Sequence, residues 1–214
     1  MHKGILTGLA IMCALFLPLN LHAQREDWKY DQTKDGKVQV AYNFEEYKDE
    51  KGKKFNVLEF EVVTSAEVSI ESCLEVLKDD SKHKHFMDDA EYTERIRDLS
   101  EDEWLTYYRL KKHWPMPVSD VVTRYVFEKD TENNSYIITG YPAPDMYPDQ
   151  GVERMRQSYS KYTLWDLGNG QTEVTMYSRS VPLASIPKML LATWIPKGPA
   201  AMVNGIIRLA LEEQ

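Results

Sequence analysis

The chain has 214 residues, of which 43% are apolar and 11% aromatic, with 34 acidic against 26 basic side chains for a formal net charge of −8. That balance argues against binding nucleic acid or an anionic membrane by charge, and the apolar fraction argues against disorder. Two cysteines, Cys13 and Cys73, exclude a disulfide framework.

Residues 1–23, MHKGILTGLAIMCALFLPLNLHA, set a basic start before an apolar run from Ile5 to Leu21 and a small-residue site at Ala23. This is the layout of a secretory signal peptide. Pro18 and Ala23 favour it over an uncleaved membrane anchor. The expected product is an exported protein, periplasmic or secreted, folded as a single domain over residues 24–214. Cleavage leaves Cys73 alone, and a lone cysteine of this kind is expected to be a buried small hydrophobe.

In the remaining chain, Arg25 to Thr33 reads as a short helix or an extended arm anchored by Trp28 and Tyr30. Val38, Val40, Tyr42 and Phe44 alternate with other residues as in a half-buried strand, and Phe55 to Thr64 returns beside it after a charged turn. Thr64 or Ser65 is then expected to cap an amphipathic helix running through Val68, Ile70, Cys73, Leu74 and Leu77 to about Asp80. Strands follow at Tyr92–Asp98, Trp104–Lys111, Val121–Lys129 and Tyr136–Tyr141. A loop with three prolines occupies Pro142 to Gly151. Val152–Leu167 and Thr172–Val181 form a hairpin across Gly168-Asn169-Gly170. Ile186 to Leu211 is helical in pattern, broken at Pro196-Lys197-Gly198-Pro199. Its second half aligns Met202, Val203, Ile206, Ile207 and Ala210 on one face. The order predicts an α+β fold with a mainly antiparallel curved sheet and its helices on one side. Sheet and helix enclose a core, or a pocket where the core is incompletely filled.

No GxSxG, HExxH, CxxC, Walker or GxGxxG pattern occurs, so no catalytic residue, cofactor or metal is assigned. Residues 79–89, DDSKHKHFMDD, set His83 and His85 among four aspartates. Zinc binding is one reading of that composition, but the interspersed lysines make a solvated charged loop the expectation. His113 is expected to be a packed or surface histidine, because no acid or nucleophile can be placed beside it. It opens HWPMPVSD, residues 113–120, where Trp114 and Met116 sit among two prolines on a connection that should face water.

Several of these features, in this order, resemble the START (steroidogenic acute regulatory protein–related lipid transfer) domain family. Trp28-Lys29 followed by Asp35-Gly36-Lys37-Val38 is similar to the family's opening. Pro115-Met116-Pro117-Val118-Ser119 resembles its Pro-Trp-Pro loop. Arg154-Met155, Tyr162-Thr163-Leu164 and the run from Leu167 to Thr175 resemble its later hairpin, and Ser185-Ile186-Pro187 the opening of its last helix. The chain departs from the pattern in three places. Met116 replaces the loop tryptophan, Leu183-Ala184 replaces a Gly-Gly pair, and the loop lacks an Arg-Asp continuation after Ser119, which implies a shorter lid.

The resemblance implies a helix-grip (Bet v 1-like) fold, in which a curved antiparallel sheet wraps a long C-terminal helix over an apolar tunnel holding one lipid or other hydrophobic small molecule. It also implies that the Pro-x-Pro loop and the last helix form the lid. Transient contact with a membrane is compatible with that role, and the oligomeric state is left open. Non-catalytic binding or transport is the leading expectation. The alternatives are an enzyme of the same superfamily, cyclase- or hydrolase-like, and an envelope interaction protein whose cavity has closed. The candidate ligand-binding residues are Met116, Pro117, Arg154, Tyr162, Met189, Trp194, Met202 and Ile206. Arg154 carries two readings: a charge paired within the protein, or a partner for a polar ligand head.

Overall fold

The computed structural model describes residues 25–214, so the leader at 1–23 lies outside the described residues. An extended arm opens the fold as β1 (Lys29–Gln32), paired antiparallel along β2 (Gln39–Lys48). β2 turns into β3 (Lys54–Glu67). The strand then gives way to helix α1 (Ile70–Lys78), a 3₁₀ turn over Asp80–His85, and a meander of β4 (Ala90–Asp98), β5 (Glu103–Leu110), β6 (Ser119–Asp130) and β7 (Ser135–Pro142). Short β8 (Glu153–Met155) precedes the hairpin β9 (Ser158–Gly168) and β10 (Gln171–Ser180), and helices α2 (Lys188–Ala192) and α3 (Lys197–Leu211) complete the chain. The sheet has ten strands in the order β1-β2-β3-β10-β9-β7-β6-β5-β4, with β8 added beside β6.

Most elements fall where periodicity places them, and two differ for identifiable reasons. The expected helix start at Thr64 or Ser65 is corrected. β3 continues to Glu67 because residues 64–67 pair with residues 171–174 of β10. Helix α1 instead begins at Ile70, where the Ser69 hydroxyl accepts the Ser72 N–H. The expected single strand Val152–Leu167 is divided. β7 reaches no further along β6 than Thr123, opposite Pro142, and β8 takes the vacated stretch in parallel, with Asp120 opposite Arg154. In the C-terminal segment the chain breaks between Ala192 and Lys197. Gly198 and Pro199 then lie in the first turn of α3, where a missing proline N–H costs no helical hydrogen bond.

Strand alternation divides the side chains between two faces. On the concave face, Val40, Phe60, Val62, Tyr108, Val121, Tyr125, Tyr162, Leu164, Val174 and Met176 share one buried cluster with Val203, Ile206, Ile207 and Ala210 of α3. Cys73 of α1 joins this cluster fully buried, as expected, and burial pushes its thiol up to about 12. A smaller cluster of Leu105, Tyr107, Val122 and Ala143 lies on the opposite face, beneath the loop after β7. Helix α3 passes so close to the turn after the 3₁₀ segment that a Cβ on Gly205 would stand 2.6 Å from Cβ of Phe86.

Candidate ligand-binding site

One transverse row of the concave face shows how the interior is built. The registers run Tyr42–Phe60–Ser178–Ser160–Gly140–Tyr125–Trp104 across β2, β3, β10, β9, β7, β6 and β5. Aromatic rings stand at both ends, while the middle three positions carry two hydroxymethyl groups and no side chain at all. The next row toward the strand ends repeats the theme with Leu58, Ser180 and Ser158, the two serine hydroxyls 2.9 Å apart. The small residues in the middle of the row make room for their neighbours, with the Tyr125 ring and the Thr123 methyl folded over Gly140. Gly140 is required there: a Cβ would stand 2.6 Å from the Ser160 hydroxyl and 2.8 Å from the Tyr125 ring.

A chain of buried polar groups enters from the Trp104 side. His83 stacks on Tyr108, with its Nδ1 2.6 Å from the Tyr108 hydroxyl and its Nε2 2.9 Å from the Leu77 carbonyl. A carbonyl only accepts, so Nε2 carries the proton. Burial pulls the imidazole below its ordinary range, partly opposed by the Asp80 carboxylate, which leaves the ring neutral at pH 7. Nδ1 is then the acceptor, Tyr108 donates to it, and Tyr125 donates to Tyr108 across 2.7 Å. Beneath them Asp80 accepts from Thr106 Oγ1 at 2.7 Å, Trp104 Nε1 at 3.2 Å and Arg95 Nε at 2.6 Å. Residues 79–89 are thus not the solvated loop expected. Their first half is a 3₁₀ turn whose Asp80 and His83 are buried and hydrogen-bonded. The lysines at positions 82 and 84 disguise this in the sequence. The parity of Trp104, Thr106 and Tyr108 along β5 is the signal that points inward, because all three face the same buried turn.

The predicted residues distribute unevenly over this site. Tyr162 and Ile206 are buried in the concave cluster, and half-buried Met116 and Met202 pack against it. Pro117 is half-buried beside Met116, in a loop whose His113 and Met116 exchange backbone hydrogen bonds and whose Trp114–Pro115 bond is cis. Trp194 meets Phe60 edge-on at 5.4 Å and lies over Gly198, while Met189 on α2 is 83% exposed. His113 is also exposed, 3.9 Å from Asp89.

Arg154 is a correction, because it does not border the interior. It lies on the outer face, where both Asp120 carboxylate oxygens and the carbonyls of Pro144, Tyr147 and Pro148 accept its N–H groups. All five donors are thereby engaged. Of its two readings, the paired one describes the structure.

The registers also gather three connections at one end of the sheet: residues 111–118 between β5 and β6, residues 143–157 after β7, and residues 181–187 after β10. The last is fixed beside the start of β3 by Asn56 Nδ2 to the Ile186 carbonyl and Ser185 Oγ to the Lys54 carbonyl. Trp114, Met189, Leu190 and Trp194, on these connections and the α2 segment that follows, are all exposed apolar side chains.

A curved antiparallel sheet closed by a C-terminal helix, with its apolar interior between them, defines a helix-grip domain. The chain belongs to the START domain family, whose pattern it matches over residues 11–209. An uncharacterized protein of Pseudomonas aeruginosa is 26% identical over 99% of this chain and 100% of its own length. A STAR-related lipid transfer protein from Xanthomonas axonopodis superposes with a TM-score of 0.69 at 19% identity, covering 86% of this chain and 99% of that one. Human STARD10 superposes at 0.66 with 19% identity, covering 86% and 75%. An aromatase/cyclase from Streptomyces sp. R1128 does so at 0.52 with 11% identity, covering 72% and 93%. At these identities the likeness to the solved structures is one of fold.

Proposed function

We propose that the protein is an exported, non-catalytic carrier that holds one lipid or other hydrophobic small molecule between the concave face and α3. The apolar concave face closed by α3, the arrangement of the START domain family, carries this reading, since it gives an elongated apolar molecule a surface to lie against. Removing such a molecule from water supplies roughly 25 cal/mol per Å² of apolar surface before the costs of association, and no reacting group is required. The loop 111–118 and the α2 segment act as the lid, and their exposed apolar side chains meet the surface from which the ligand is collected.

The buried chain from His83 to Tyr125 is the observation that favours a catalytic reading. Both ring nitrogens of His83 are already committed, however, to a backbone carbonyl and to Tyr108. The network reads as a strut between the 3₁₀ turn and the concave face, and non-catalytic binding is the better account.

The test is direct. Protein purified from its native host and extracted with organic solvent is expected to yield a lipid by mass spectrometry, and a polyene fatty probe is expected to gain fluorescence on titration. Met116→Asp places a charge where a half-buried side chain packs on the core. It is expected to weaken probe binding about tenfold or more while the circular dichroism spectrum is retained. Unchanged affinity in that variant would place residues 111–118 outside the ligand path.

A further inference from the structure

One buried titratable group plays no part in holding an apolar ligand. His83 is 3% exposed and lies where α1, the sheet and α3 meet. Its Nε2 donates to the Leu77 carbonyl at the end of α1, and its Nδ1 accepts from Tyr108 of the sheet. Its own carbonyl accepts the N–H groups of Phe86 and Met87, so ring and turn move together. Phe86, whose ring lies 5.2 Å from the imidazole, is the residue against which α3 rests at Gly205. Arg208 of α3 donates to the neighbouring His85 carbonyl. The turn from Asp80 to Phe86 is thus a strap, with His83 gripping the sheet and Phe86 the helix.

The strap is built for a neutral ring. A proton on Nδ1 would turn that acceptor into a second donor facing Tyr108. Relief requires the chain to reverse, Tyr108 donating to Tyr125 and Tyr125 to Ser160. Even then the imidazolium stays in a dry cluster. The Asp80 carboxylate is 3.9 Å from Nδ1, but its oxygens already accept from Thr106 and Trp104 of β5 and from Arg95 of β4. Asp79 is occupied by Ser81 and Lys82. The sheet presents the phenols of Tyr108 and Tyr125, with Tyr162 beyond them, and α1 presents the Leu77 carbonyl. Both carboxylates are thus committed, and water is the better host for the charged ring.

We infer that His83 operates an acid-triggered release: its protonation detaches the strap from Tyr108, frees Phe86 from Gly205 and lets the ligand leave from between the sheet and α3. This rests on the carrier reading and adds its regulation. Tyr108 and Tyr125, which the strap holds, share one buried cluster with Val203, Ile206 and Ala210 of α3. Loosening at His83 is therefore felt on the surface that the ligand occupies. One proton accompanies each opening, so the apparent affinity falls by at most about tenfold per pH unit.

Methyl parinarate is the probe that tests it, because its polyene chain reports binding by fluorescence and its ester head does not titrate. With the full chain, Kd is expected to rise about tenfold or more between pH 7 and pH 5, while the far-UV circular dichroism stays that of the folded protein. His83→Gln keeps a donor for the Leu77 carbonyl but cannot titrate, so its Kd should be the same at the two pH values. In the parent, saturating ester should lower the pH at which the ¹⁵N resonances of the His83 ring report protonation by about one unit, the reciprocal of the same coupling. A parent Kd that does not change with pH, an equal acid loss in His83→Gln, or a folded spectrum lost over the same window overturns the release inference while the carrier reading stands. A His83 titration that the ester leaves unmoved does so too, with no variant needed. If the ester does not bind at pH 7, both are overturned.

Discussion

Replacing Arg154 with methionine is expected to destabilise the fold by about 3–5 kcal/mol, read as a lowered midpoint in urea or guanidinium denaturation. Among the described residues the guanidinium is the ion-pair partner of Asp120, which is fully buried, and an unpaired buried carboxylate is among the costlier defects a folded chain can carry. The carbonyls of Pro144, Tyr147 and Pro148 lose their donor as well. Loop 143–151 should therefore become a protease site before the rest of the molecule unfolds. Removing both charges with Asp120→Leu and Arg154→Met should recover much of the loss, giving a coupling energy well outside additivity. Because the pair sits on the outer face, folded Arg154→Met protein should bind the polyene fatty probe with parental affinity. A selective loss of binding in a variant that remains folded would return Arg154 to the ligand path.

His83→Ala is expected to cost about 3–5 kcal/mol by the same measurement. It leaves the Leu77 carbonyl without its buried donor and the Tyr108 hydroxyl without its acceptor, and it opens a cavity beside Phe86. The pH dependence of the parent supplies an independent check. Desolvation holds the folded-state pKa of His83 below the ordinary 6.5, so under more acidic conditions the unfolded chain takes a proton that the folded protein does not. Stability is then full above pH 6.5 and falls as pH drops below it, by up to about 1.4 kcal/mol per pH unit until the folded-state ring itself protonates. His83→Gln should be less stable than the parent at pH 7 yet nearly flat between pH 7 and 5.5. A parent curve that is flat across that window would rule out a buried neutral imidazole.

Strand and helix periodicity carry the architecture in the sequence, because each strand buries one face and α3 buries one stripe. Residues 64–67 show where local reading stops. Thr64 and Ser65 are competent caps, but only the register with β10, a hundred residues away, decides that they extend a strand. Residues 79–85 show a second limit. Their charges read as solvated until a fold places Thr106, Trp104 and Tyr108 around Asp80 and His83. Met202 and Ile206 were legible as inward-facing from their spacing, whereas Tyr162 was reached only through the family resemblance. Arg154 was not, because the sequence shows neither that β8 replaces β7 along β6 nor on which face of the sheet its side chain emerges.

The contact between Gly205 and Phe86 bears on how the C-terminal segment can move. Its far half is clamped: Val203, Ile206 and Ala210 are fully buried, and at position 205 the helix backbone lies directly against a neighbouring turn. Its near half is not, since α2 contributes no buried side chain and is joined to α3 by the irregular stretch Thr193–Pro196. The segment is therefore a lever whose fulcrum lies at the stretch Thr193–Pro196, where Ile195 is buried in the core, and whose free arm is α2. Amide hydrogen exchange should show this as protection that is weak across residues 188–194 and strongest around residues 203–210, so that the arm can lift many times without the globule opening.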